Sequence, residues 1–195
     1  MKAERTAEVR RKTAETDITL KFGIDGTGVY AIDTGVPFFD HLLELFAKHG
    51  KFDMQIKAKG DIDVDYHHLV EDTGITLGDA FKKAIGKKSG IRRFASCCVP
   101  MDEALVRVSI DISGRPYISY EVAVGDPYIL HFHAGLVEEF LRAVAHGAGI
   151  TLHVDSIRGK NTHHIMEACF KAFGLALFDA TRITGEGVPS TKGVL

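Results

Sequence analysis

The chain has 195 residues, 45% hydrophobic and 26% charged, with a formal net charge of −2. This is ordinary folded-domain composition, and its near-neutral charge gives no field for nucleic acid or a membrane surface. No apolar run approaches the roughly 20 residues a membrane span needs. The start, Met1-Lys2-Ala3-Glu4-Arg5, carries no apolar signal core, and the 3 cysteines, Cys97, Cys98 and Cys169, have no CxxC spacing. An odd set of thiols without a secretion signal fits a reducing, cytoplasmic location.

Residues 6–24 alternate loosely, with Ile18, Leu20 and Phe22 on one face, and read as strand. Asp25-Gly26-Thr27-Gly28 has turn chemistry, because glycine supplies the positive φ that a tight hairpin needs. Val29 to Ile32 then reads as the return strand. Pro37 suits a first helical turn, and Phe38, Phe39, Leu42, Leu43, Leu45 and Phe46 form a helical stripe that ends at Gly50. Phe52, Met54, Ile56 and Ala58 alternate as a strand. After an acidic loop from Gly60 to Asp65, a helix opening at His67-His68 is expected to run to about Gly86.

The same order returns downstream. Arg92 to Val99 and Ala104 to Ile112 read as strands, followed by a Ser113-Gly114-Arg115-Pro116 turn and a strand from Tyr117 to Val124. Phe132 to Ala148 is expected to be helical. Ile150, Leu152 and Val154 alternate, and a helix opening at His163-His164 runs to about Thr184. The Gly/Pro/Ser/Thr-rich tail from Gly185 reads as irregular. The expected fold class is α+β: a two-layer sandwich from an internal duplication, each half strand–strand–helix–strand–helix, with four helices packed between two mixed sheets. One domain spans residues 1–195, with pseudo-repeats 1–90 and 91–195.

The duplication is sharpest at its polar residues. His67-His68-Leu69-Val70-Glu71 answers to His163-His164-Ile165-Met166-Glu167, and Gly78 and Ala80 answer to Gly174 and Ala176. Helical residues four apart share a face, so His67 lies above Glu71 and His163 above Glu167. Adjacent residues diverge by about 100°, so the two histidines of a doublet serve different ions. One His-His pair at a helix start is more often a cap or a solvated surface pair. Two pairs with the same glutamate spacing point to paired metal sites, and imidazole with carboxylate suits zinc, manganese, iron or nickel. The repeat also sets His41 opposite Glu139. Arg93, Arg115 and Lys192 are the basic candidates. In Pro189-Ser190-Thr191-Lys192, hydroxyls, backbone N–H groups and the lysine form a weak phosphate-binding pattern.

The chain closely resembles the imidazoleglycerol-phosphate dehydratase family. The matching stretches are Asp25-Gly26-Thr27-Gly28, Pro37-Phe38-Phe39-Asp40-His41, Gly60-Asp61, both His-His-x-x-Glu motifs, Met101-Asp102-Glu103-Ala104, Ser113-Gly114-Arg115-Pro116-Tyr117 and Pro189-Ser190-Thr191-Lys192-Gly193-Val194-Leu195. They span essentially the whole chain. The resemblance implies a histidine-biosynthesis lyase with two Mn2+ ions per active site, in a large homo-oligomer of trimers with sites completed between subunits. It implies metal ligation by His41, His67, His68, Glu71, His163, His164 and Glu167. It implies substrate contacts from Glu8, His41, His49, Arg93, Arg115, Ser190 and Lys192. The expected partner is a small phosphate-bearing molecule.

The expected reaction converts imidazole glycerol phosphate to imidazole acetol phosphate. A dimanganese-bound imidazolate can expel the neighbouring hydroxyl, after which the adjacent C–H becomes acidic enough for a carboxylate to remove. The catalytic candidates are Glu8, Glu167 and His68. The chain departs from the usual family pattern at Val137-Glu138-Glu139-Phe140, where a ligand histidine is replaced by Glu139. Glu139 is expected to face a metal itself; substitution by His131 or His133 and a crippled metal site are the other outcomes, and rotation along an expected helix turns His133 elsewhere. A binuclear metallohydrolase and a non-catalytic metal-binding oligomer are the alternative functions.

Overall fold

The computed structural model describes residues 5–195, and Met1 to Glu4, on which the expectation of no signal segment rests, lie outside the described residues. Two antiparallel strands, β1 (Thr6–Lys12) and β2 (Thr16–Gly23), replace the single strand read over residues 6–24. The break has no Gly or Pro to announce it. The Thr13 hydroxyl accepts the backbone N–H of Glu15 at 3.1 Å and that of Thr16 at 2.9 Å, closing the turn with a side chain.

A second correction concerns Asp25 to Gly28. The following strand, β3 (Tyr30–Asp33), does not fold back on β2; it pairs in parallel with β4 (Asp53–Gly60), giving the order β1-β2-β4-β3. Asp53 Oδ1 holds the crossing loop by accepting from Thr27 N at 2.9 Å and Val29 N at 3.0 Å. Helices α1 (Pro37–Gly50) and α2 (His67–Ile85) complete the half.

The second half repeats this with β5 (Phe94–Met101), β6 (Ala104–Asp111), β7 (Tyr117–Glu121), α3 (Gly135–Ala148), β10 (Thr151–Arg158) and α4 (Thr162–Thr181). Its order, β5-β6-β10-β7, reproduces the first sheet, including the parallel pair β7 and β10. Each half therefore has three strands before its first helix, as the second half was read strand by strand and one more than the strand–strand–helix–strand–helix repeat expected for both. A short hairpin, β8 (Tyr128–Ile129) with β9 (Phe132–His133), takes up the residues that were expected to begin α3.

Helices α1 and α2 cover the first sheet, α3 and α4 cover the second, and the layers meet as α2 on α3 and α1 on α4. Strand alternation drives this: Ile18, Leu20, Phe22, Met54 and Ile56 point inward from one sheet, and Val106, Val108, Leu152 and Val154 from the other, all buried. Phe46 of α1 stacks on Phe173 of α4 with ring centroids 4.9 Å apart. Each such ring contributes on the order of 2–3 kcal/mol by leaving water.

The glycines shared by the repeats are explained at these contacts. A Cβ on Gly78 would lie 2.8 Å from Val144 O and 2.9 Å from Ala148 N; one on Gly174 would lie 2.6 Å from Phe46 O and 3.0 Å from Gly50 N. The contacted positions also correspond, Val144 with Phe46 and Ala148 with Gly50. The halves are thus related by a pseudo-twofold axis through the helical layers, with both helix pairs backbone to backbone.

Candidate active site

Both doublet helices begin in the same way. Asp65 accepts the backbone N–H of His67 at 2.7 Å, and Asn161 accepts that of His163 at 2.9 Å. These caps satisfy donors that the first helical turn would leave open, and they fix where each doublet leaves the helix.

Among the described residues, two groups of three metal-ligating side chains bring their donor atoms together: His41, His163 and Glu167, and Glu15, Asp61 and His68. In the first, His41 reaches across from α1. Its Nε2 lies 3.0 Å from Glu167 Oε1, and His163 Nε2 lies 2.8 Å from the same oxygen. Lys171 Nζ donates to the other carboxylate oxygen at 2.7 Å. Burial pushes Glu167 toward neutrality, but Lys171, His41 and His163 outweigh it and bring the carboxyl down to about 2. Ligand atoms about 2.1 Å from a divalent ion stand about 3 Å apart on adjacent octahedral positions. The observed spacings match that geometry, so the donor set fits a divalent cation.

The pseudo-equivalent set is looser. His67 Nε2 is 3.7 Å from Glu71 Oε2, and both side chains are more than two-fifths exposed. Glu139 is half-buried on α3 and belongs to neither group. His131 and His133 line a cavity of about 500 Å³ together with His67. Since α3 starts only at Gly135, helical rotation does not decide where His133 points. Its Nδ1 accepts from Gly135 N at 3.1 Å.

The second histidine of each doublet meets a carboxylate. His68 Nδ1 is 3.0 Å from Asp61 Oδ2, and His164 Nδ1 is 2.8 Å from Glu103 Oε2. The hydrogen bonds raise both histidines and lower both acids, Glu103 to about 2.

The basic candidates gather elsewhere. Arg93, at φ +76°, pairs with Asp111 at 2.7 Å and donates to the carbonyl of Pro189 at 2.8 Å. Arg115 lies 3.7 Å from the same Asp111. Ser190 Oγ accepts the backbone N–H of Lys192 at 3.2 Å. Arg93, Arg115 and the Ser190–Lys192 tail therefore sit around one end of the second sheet. Arg93 N bonds Ala180 O, 13 residues along α4 from Glu167, or about 20 Å at 1.5 Å per residue. Glu8 projects from the solvent face of β1, where it lines an open groove with Lys21, Glu44 and Lys57. His49, near the end of α1, is lowered by burial and by the charge of Lys171.

Lys171, Asp61 and Glu103 are the site residues that the sequence reading leaves without a role. The signal for Lys171 was present, a Glu–Lys pair four residues apart on one helical face. Asp61 and Glu103 sit in loops, and only the fold brings them to the histidines.

A sequence model described as imidazoleglycerol-phosphate dehydratase matches residues 34–177. The chain is 59% identical over 194 residues to the imidazoleglycerol-phosphate dehydratase of Acetivibrio thermocellus, covering 98% of this chain and 100% of that one. It is 58% identical over 193 residues to that of Caldanaerobacter subterraneus, with the same coverage. The crystal structure of the Pyrococcus furiosus dehydratase in complex with (S)-C348 aligns with a TM-score of 0.85 at 42% identity, covering 96% of this chain and 100% of that one. The Staphylococcus aureus dehydratase aligns at 0.84 and 40%, covering 92% and 99%. No helix among the described residues is long and apolar enough to cross a membrane. The chain is an enzyme of the imidazoleglycerol-phosphate dehydratase family, the dehydratases of histidine biosynthesis.

Proposed function

We propose that the chain dehydrates imidazole glycerol phosphate to imidazole acetol phosphate, using two manganese ions per active site, in sites completed between subunits of a homo-oligomer of trimers. One observation carries this reading. Within one subunit Glu167, which His41 and His163 meet, stands about 20 Å along α4 from Ala180, where the Arg93 backbone is bonded, and Arg115 lies beside Arg93 at Asp111. A three-carbon chain between an imidazole and a phosphate cannot bridge that gap. One subunit's metal ligands therefore work with another's basic tail.

His41, His163 and Glu167 hold one ion, and His67, Glu71 and Glu139 contribute to the second, with His68 and His164 as further ligands. Cations held by these residues would supply Lewis acidity to the substrate's ring, which would make loss of the neighbouring hydroxyl easier. Arg93, Arg115, Ser190 and Lys192 bind the phosphate and His49 contacts substrate, while Arg93 is pre-oriented by Asp111. Glu167 is engaged by Lys171 and two imidazoles, which fits it to metal holding. Glu8, solvent-facing on β1, is assigned as the acid–base carboxylate, with Glu167 as the alternative.

The test combines metal removal with product analysis. Chelation should abolish turnover and shift the particle to smaller species in sedimentation, since ligand binding stabilises the assembled form; manganese should restore both. The product should be a phosphorylated ketone. Release of inorganic phosphate would instead establish a binuclear metallohydrolase, and absence of turnover a metal-binding oligomer. An unchanged particle after verified metal removal would exclude metal-completed assembly.

A further inference from the structure

The two histidines of each doublet are held differently. His163 turns its Nε2 to Glu167, and His67 turns its Nε2 toward Glu71. His68 and His164 do the opposite, offering Nδ1 to a carboxylate that lies outside the motif. A carboxylate that is ionised can only accept, so each neutral ring carries its proton on Nδ1 and leaves Nε2 with the lone pair. Among the described residues no protein group hydrogen-bonds either Nε2. The nearest acid to His164 Nε2 is Asp102, exposed and 3.9 Å away.

The carboxylates are not chance neighbours. Glu103 sits in the turn between β5 and β6, and its Oε1 accepts from Asn161 N at 2.8 Å and Lys160 N at 3.1 Å. One carboxylate thus pins the loop that launches α4 and the second histidine on that helix. The matching hairpin of the first half, between β1 and β2, carries Glu15 in the corresponding place. There Glu15 stands back, 3.7 Å from His68 Nδ1, and Asp61 takes the hydrogen bond at 3.0 Å. Asp61 comes from the loop before α2, which is two residues longer than its counterpart before α4. The halves reach the same arrangement by different loops. This also explains why the grouping of Glu15, Asp61 and His68 is not itself a cation site: the nitrogen facing the acids carries the proton.

We infer that Asp61 and Glu103 are positioning residues, one per half, which fix His68 and His164 as Nε2 ligands for a divalent cation whose remaining ligands lie on a neighbouring subunit. The inference rests on the metal-dependent reading above. Such outer partners orient the ring, set its tautomer and raise its basicity, and their loss typically lowers metal affinity about 10–100-fold.

The test uses the full-length protein, stripped of metal and titrated with Mn2+ alone by calorimetry or by electron paramagnetic resonance, with its assembly state followed by sedimentation. Glu103→Gln can still accept from Asn161 N and Lys160 N through its carbonyl, but its amide donates to His164 Nδ1 and moves the ring proton to Nε2. Mn2+ affinity should fall about 10–100-fold while the unfolding midpoint of the metal-free protein holds. Asp61→Asn should act likewise on His68, and Glu15→Gln should change affinity less than twofold. The 15N shifts of labelled histidine in the metal-free variants should report the switched tautomer. Wild-type protein that binds no Mn2+ would overturn the metal reading and this inference together. Wild-type binding matched by Glu103→Gln and Asp61→Asn, with tautomers unchanged, would overturn this inference alone.

Discussion

The two sites exchanged by the pseudo-twofold axis carry the same side-chain types in very different states. At one, Glu167 is buried at 9% side-chain exposure, with two imidazole nitrogens within 3.0 Å and Lys171 beneath it. At the other, Glu71 is 44% exposed and His67 stands 3.7 Å off. The repeat places Ile75 where Lys171 stands. A carboxylate cannot be buried without a counter-charge, and only one half supplies it. Lys171 is therefore what allows one of the two carboxylates to be buried, while its counterpart is exposed.

The strongest way to break the comparison is to remove Glu167. Glu167→Ala leaves Lys171 partly buried and unpaired, which should destabilise the metal-free protein by about 3 kcal/mol in denaturant unfolding. Turnover should fall by more than the about 10–100-fold expected for losing an outer partner. The milder Glu167→Gln isolates the charge. With its folded carboxyl at about 2 against an ordinary 4.5, Glu167 stabilises the fold fully above about pH 4.5 and loses that contribution as pH falls toward 2. Acid unfolding of the wild type should therefore be steeper over that window than that of Glu167→Gln. Parallel curves would mean that the carboxylate is not held as described.

Glu139→His addresses the exposed site, where an imidazole would restore the pairing that His41 makes across the axis. Manganese stoichiometry and kcat should be measured together. The expected result is retained binding and a severalfold rise in turnover, because a carboxylate adds negative charge that opposes forming an anionic ring. If neither quantity moves, Glu139 is not a ligand. The smallest effect is expected from Ile75→Lys, which gives Glu71 its own partner one helical turn away. An exposed pair of this kind is worth about 0.5 kcal/mol or less. Destabilisation beyond about 1 kcal/mol would show that Ile75 is needed for packing, and that the two sites are not comparable positions.

Much of this was legible from residue order. The His-His-x-x-Glu repeat located α2 and α4, and the alternation of Ile18, Leu20 and Phe22 marked the inner face of its sheet. Gly78 and Gly174 were visible as a matched pair, although their purpose, close helix contact, required the packing. Three features were hidden for specific reasons. The turn at Thr13 is closed by a hydroxyl, so no Gly or Pro marks it. The parallel pairing of β3 with β4 depends on a partner more than twenty residues away, while Asp25 to Gly28 has the composition of a local hairpin. The aromatic start of β9 continues the apolar stripe of α3, so periodicity alone merges the two. At the site, residues on the doublet helices could be named from spacing, whereas Asp61 and Glu103 reach their histidines only through loop geometry.

The backbone contacts at Gly78 and Gly174 carry an evolutionary consequence. Corresponding surfaces of the two halves face each other, as they do in an isologous dimer. The architecture is that of a homodimer whose subunits have been joined end to end. In two separate identical chains, any residue gained by one subunit is gained by both. Joining them lifts that constraint, so that one half carries Lys171 and the other Ile75. The asymmetry between the two ligand sets is a property that only the fused chain can hold.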